Sequence, residues 1–190
     1  MHLSRKLGGL LAAAMVAAGV AAAAAPAHAT TPSPYWQIIT LAGDTYPIWE
    51  CLQGDLGGPL GSSVTQHYCD PANTNPNQQW LPISTGGDGY KFQNVATGLC
   101  LEARSGAANG TLVPLWDCTS AESNTRWAWD QSSAGANAFP GIEQIQSRVS
   151  GSTGYCLDVP GASTAIGLQL QIYRCNNTNA QLFWITYPAS

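Results

Sequence analysis

The chain has 190 residues, of which 9% are charged, seven basic against eleven acidic. So few Lys and Arg exclude the phosphate-binding field that nucleic acid requires, and a charged fraction well below the roughly 25% of typical soluble proteins excludes a surface stabilised mainly by ion pairs. Stability must come from a core and from covalent staples, for which six cysteines are available.

At the N-terminus, Arg5 and Lys6 precede an apolar, Ala-rich run from Leu7 to Ala25, and Ala27-His28-Ala29 follows. This layout predicts a secretory signal peptide over 1–29. A membrane anchor fits less well, because Ala and Gly partition weakly into lipid and a polar Thr-Pro-Ser stretch comes next. Cleavage before Thr30 would release a secreted, extracellular chain with five basic and eleven acidic residues, a net charge of −6. That compartment permits disulfides. Residues 30–34, "TTPSP", read as a short extended linker.

From residue 35 onward, apolar–polar alternations separated by Gly, Pro, Asn and Ser clusters replace any helical period, which predicts an all-β domain over 35–190. The domain divides into three units, roughly 35–84, 85–134 and 135–190. The first unit carries Cys51-Leu52-Gln53, then Cys69, then "NQQW" from Asn77 to Trp80. The second carries Cys100-Leu101-Glu102, Cys118 and "NTRW" from Asn124 to Trp127. The third carries Cys156-Leu157-Asp158, Cys175 and "NAQLFW" from Asn179 to Trp184. Its clearest strand is "GLQLQIYRC", with Leu168, Leu170 and Ile172 on one face. Trp80, Trp127 and either Phe183 or Trp184 are expected in the core.

Six cysteines allow 15 pairings. Cysteine intervals of 18, 18 and 19 residues favour Cys51–Cys69, Cys100–Cys118 and Cys156–Cys175, each worth about 3 kcal/mol in the chain-entropy model. Zinc is disfavoured: no CxxC pair occurs, and His67 is the only histidine after Ala29. Nothing supports another metal or a cofactor. Since a disulfide needs Cα atoms within about 7 Å, direct pairing of Cys156 with Cys175 on antiparallel strands places Asp158 opposite Tyr173. The same register places Glu102 opposite Trp116 and Gln53 opposite His67. With the apolar side packed inward, a carboxylate and an aromatic ring are expected to project together into solvent.

These units resemble the ricin B-type lectins: Cys-Leu-acid, aromatic-x-Cys and Gln-x-Trp recur three times in order, over essentially 35–190. The resemblance implies a β-trefoil of three four-stranded repeats. In sugar-binding members, an Asp two residues after the first Cys accepts sugar hydroxyls, and an aromatic two before the second Cys stacks on the ring. The implied carbohydrate-binding residues of the third repeat are Asp158, Gln171, Tyr173, Asn179 and Gln181, although Ala180 stands where the family has Asn. The second repeat offers Glu102, Trp116 and Asn124, with Pro114 and Thr125 replacing two amides. The first, with Gln53 and His67, is expected to be silent.

The physics suits a carbohydrate. A carboxylate can take two hydroxyl donors, and an aromatic face covers the C–H patch of a pyranose. A shallow site of this kind implies affinity near millimolar, about −4 kcal/mol, which two sites on one body would raise by avidity. The expected partner is a glycan or polysaccharide, with no nucleic acid and no membrane span. The chain is expected to act alone or to join another polypeptide.

Catalysis is not expected. Glycoside hydrolysis usually needs two carboxyl groups about 5–9.5 Å apart, whereas Asp158 and Glu102 belong to different repeats, and no Gly-x-Ser-x-Gly elbow occurs. The alternative is a protein-binding trefoil (an inhibitor, adhesin or targeting subunit) using loops such as Val159 to Gly167 or Gln131 to Gly141. Asn109-Gly110-Thr111 and Asn176-Asn177-Thr178 are glycosylation acceptors where the host modifies secreted proteins.

Overall fold

Each Cys-Leu step turns a leucine inward: Leu52, Leu101 and Leu157 are fully buried. The third element of each unit adds an aromatic, and Trp80, Trp127 and Phe183 are also fully buried. Burial of each is worth a few kcal/mol, so three symmetric contributions replace what few surface charges could supply.

The computed structural model describes residues 35–42, 49–55, 57–87, 89–104, 106–119, 123–130, 141–149 and 154–186, within one compact unit, Pro32–Ser190. The expected leader at 1–29, the linker at 30–34 and the loop from Gln131 to Pro140 lie outside the described residues. Among the described residues thirteen strands run in chain order: β1 Gln37–Thr40, β2 Glu50–Gly54, β3 Val64–Tyr68, β4 Trp80–Gly86, β5 Gly89–Asn94, β6 Cys100–Leu101, β7 Thr111–Leu112, β8 Leu115–Trp116, β9 Trp127–Asp130, β10 Ile142–Ser147, β11 Tyr155–Asp158, β12 Gln171–Arg174 and β13 Phe183–Thr186. Among the described residues no helix is long and apolar enough to cross a membrane.

The chain forms an all-β trefoil. Antiparallel pairing runs β1–β13–β10–β9–β5–β4. The ring closes where Trp36 N donates to Trp80 O at 3.0 Å and Trp80 N donates to Trp36 O at 2.9 Å. Three hairpins, β2–β3, β6–β8 and β11–β12, add to this ring. They also meet one another, through Ser63 with Pro114, Thr65 with Gln169, and β7 with β12.

All three expected disulfides are present, with Cα–Cα distances of 4.9, 5.0 and 5.1 Å. The register beside them differs from the expected one by two residues in every repeat. Cys156 lies opposite Tyr173, and Asp158 opposite Gln171. Cys51 lies opposite His67, with Gln53 opposite Thr65, and Cys100 lies opposite Trp116. The second cysteine sits just beyond its strand: Cys175 N donates to Gly154 O at 3.0 Å. Each bridge therefore spans a diagonal rather than a directly opposed pair. A 7 Å Cα limit admits both geometries, and a two-residue shift leaves every side chain on its face.

Candidate functional site

The third repeat builds a cleft of about 400 Å³ beside its disulfide. Asp158, at the end of β11, forms the floor. Gln171 and Tyr173 rise from β12, while Gly161 and Ala162 form one wall, and Asn176, Thr178 and Ala180 line the rest. Tyr173 is 39% exposed, leaving its ring open on the rim.

Asp158 itself is 4% exposed, which corrects the expectation of a carboxylate projecting into solvent. Two amides hold it: Gln171 Nε2 donates to Oδ1 at 2.7 Å, and Gln181 Nε2 donates to Oδ2 at 3.0 Å. Burial raises its pKa above the ordinary 3.8, and the hydrogen bonds from Gln171 and Gln181 oppose that rise. Each carboxylate oxygen keeps lone-pair capacity beyond the one amide it accepts. The result is a recessed acceptor under an aromatic rim.

Gln181 is fully buried and acts from beneath the floor. Besides Asp158, its Nε2 donates to Arg174 O at 3.1 Å, and its Oε1 accepts from Asn176 N at 2.8 Å. It lies in a 3-10 turn, Asn179–Gln181, which hands the chain to Phe183. The motif therefore reads Gln181-Leu182-Phe183, with Trp184 half-buried and edge-on to Trp49 at 5.1 Å. Asn179 is exposed and is not among the lining residues.

Sequence reasoning missed the wall. Gly161 and Ala162 both adopt left-handed backbone, φ 65° and 50°, a conformation that Gly takes freely and Ala at some cost. From the first repeat, Gln66 holds this loop, its Nε2 donating to Ser163 O at 2.7 Å and Ala165 O at 2.9 Å. The available signal was positional: Gln66 precedes its second cysteine by the interval that places Leu115 and Ile172 in the other repeats, and all three are fully buried. A lone amide at an otherwise apolar core position needs partners, and these are loop carbonyls.

The second repeat is arranged differently. Glu102 is 3% exposed, and its backbone N donates to Pro114 O at 3.0 Å. The guanidinium of Arg104 lies 3.4 Å from the centroid of the Trp116 ring, covering one face of it. Asn124 is half-buried, and its carbonyl accepts from Ala103 N at 2.8 Å. In the first repeat, Gln78 Nε2 donates to Gln53 Oε1 at 3.1 Å, an amide in the place of the Asp158 carboxylate.

A family model described as ricin-type beta-trefoil lectin domain-like matches residues 27–116 and 76–152. No curated protein matches the chain. Among solved structures, the designed threefold-symmetric protein ThreeFoil is similar at TM-score 0.66 and 21% identity, over 81% of this chain and 99% of its own. A mosquitocidal holotoxin is similar at TM-score 0.65 and 19% identity, over 83% of this chain but 17% of the toxin. The ricin B-like lectin of Macrolepiota procera, solved in complex with lactose, is similar at TM-score 0.56 and 21% identity, over 82% of this chain and 97% of the lectin. At such identities the likeness concerns the fold.

Proposed function

The chain belongs to the ricin-type beta-trefoil lectin-like family, and on that footing we propose that it is a secreted carbohydrate-binding protein whose working site is the third-repeat cleft. The observation that carries this reading is the Asp158 carboxylate, fixed by Gln171 and Gln181 below the open ring of Tyr173. Sugar hydroxyls donate to the carboxylate, and the less polar face of the ring packs on Tyr173. Gln171 orients Asp158 and also borders the cleft, where its amide can meet a further hydroxyl.

Binding without turnover suits this cleft. Asp158 is the one carboxylate among its described lining residues, whereas most glycoside hydrolases use two. The open rim and modest volume favour a terminal sugar held near millimolar affinity, about −4 kcal/mol.

The test is a glycan panel probed with the mature protein and with Asp158→Ala and Tyr173→Ala. Both variants are expected to lose the signal while keeping the parent's circular dichroism, and a free monosaccharide is expected to compete. Parental binding by both folded variants would refute the assignment. Competition-resistant binding to a protein, with Asp158 dispensable, would favour the protein-binding alternative. Secretion is checked separately, by N-terminal sequencing of the released chain, with Thr30 as the expected first residue.

A further inference from the structure

A second cleft, of about 410 Å³, lies where the three hairpins meet. Gly61 and Ser63 come from the first repeat, Arg104, Thr111 and Pro114 from the second, and Gln169 from the third. The hairpins are stitched together around it: Gly61 N donates to Leu115 O at 2.9 Å, Leu115 N donates to Ser62 O at 2.8 Å, and Thr65 bridges Gln169. Its walls are therefore segments of three different repeats, joined by backbone hydrogen bonds and isolated β-bridges.

Arg104 gives this cleft its chemistry. It is the fourth residue after the first cysteine of its repeat, where the other repeats carry Asp55 and Pro160, so the threefold pattern places a cation here once. The guanidinium is stacked on Trp116, which immobilises its plane and leaves the in-plane N–H donors for other partners. Arg104 has no carboxylate partner among the described residues. Ser63 and Gln169 bring hydroxyl and amide groups, while Leu112, 53% exposed, and Pro114 bring apolar surface.

We propose that this junction binds the carboxylate of an acidic sugar, a uronic acid, independently of the Asp158 cleft. A planar fork matches a carboxylate through two parallel hydrogen bonds. Ser63 and Gln169 meet ring hydroxyls, and Leu112 with Pro114 packs on the C–H face. The volume lies within the range of small-ligand sites. Since the chain as a whole is acidic, recognition depends on this local donor set and not on long-range attraction.

The experiment is an NMR titration of the mature protein with sodium D-galacturonate against D-galactose, at ionic strength matched with sodium chloride. Galacturonate is expected to shift the Trp116 Nε1–H and Arg104 Nε–H signals saturably at millimolar concentration, with galactose leaving them in place. Arg104→Gln is expected to weaken galacturonate at least tenfold, Arg104→Lys several-fold, and Asp158→Ala not at all. Arg104 is exposed, so these variants retain the core. Equal response to galactose, to sodium sulfate or to chloride alone would overturn the proposal. So would undiminished binding by Arg104→Gln, or loss of binding in Asp158→Ala, which would return the ligand to the third repeat.

Discussion

In the first repeat, Gln78 donates to Gln53 Oε1 at 3.1 Å and to Tyr68 O at 2.8 Å, and its Oε1 accepts from Asp70 N at 2.7 Å. In the third, Gln181 makes the same three bonds, to Asp158, to the carbonyl of Arg174 and from Asn176 N, at 3.0, 3.1 and 2.8 Å. The frame is thus common to both, and its first task is structural: a buried glutamine ties the end of a hairpin to the strand that follows. What separates the two repeats is the group placed on the frame. Gln53, opposite Thr65, is a neutral amide, and Asp158, opposite Gln171, is a carboxyl group that lines one cleft with Tyr173. The same frame carries an amide in one repeat and a carboxylate in the other.

The largest effect should come from erasing that difference. Asp158→Asn makes the third repeat resemble the first and removes charge-assisted bonds worth about 1.5–3 kcal/mol. Glycan binding by calorimetric titration is expected to fall about tenfold to a hundredfold, with thermal stability held or slightly raised.

Next come the glutamines of the frame. Gln78→Leu and Gln181→Leu each strand buried polar groups, at about 1–3 kcal/mol, and urea unfolding should register similar losses. Only Gln181→Leu should also weaken glycan binding. Equal loss of binding in both variants would remove the functional distinction between the repeats.

A third test uses pH. Because burial raises the pKa of Asp158 above 3.8, the native state holds this proton more tightly than the unfolded chain does. The contribution of Asp158 to stability is then most favourable below 3.8 and declines as pH rises through the raised value. Glycan binding, which needs the ionised form, should run the other way and fail as pH drops through the same window. Asp158→Asn should flatten both trends, and Gln53→Asp should introduce a similar stability trend in the first repeat.

The smallest expected effect is the graft Gln53→Asp with His67→Tyr. It supplies a carboxylate to Gln78 and a ring to the rim, but not the wall that Gly161 and Ala162 provide. Weak binding, near ten-millimolar or about −3 kcal/mol, is expected by saturation-transfer NMR in an Asp158→Ala background.

Sequence spacing made a threefold all-β domain legible, because three cysteine intervals, three buried leucines and three core aromatics must repeat for a threefold core to close. Spacing also paired Asp158 with Tyr173, while the trefoil and the amides Gln171, Asn179 and Gln181 came with the family resemblance; of these, Gln171 and Gln181 hold Asp158 and Asn179 stands outside the cleft. Register was not legible, since a disulfide tolerates both direct and diagonal pairs. Nor was the depth of Asp158, which depends on a loop held by Gln66 from another repeat. The fate of Trp116 turned on Arg104, twelve residues away in sequence, and no periodicity announces which side chain will settle on a ring. Local pattern fixes what a residue's own strand dictates; burial and coverage come from other segments.

The first and last strands are direct neighbours, with Gln37 opposite Thr186 and Thr40 opposite Phe183. Entry and exit points therefore sit about 5 Å apart, one inter-strand spacing. A unit with so narrow a doorway can be spliced between two foreign segments without being pulled open. Joining its ends by a short peptide and cutting instead at the Gly86–Gly89 turn should yield a permuted chain that closes the same ring.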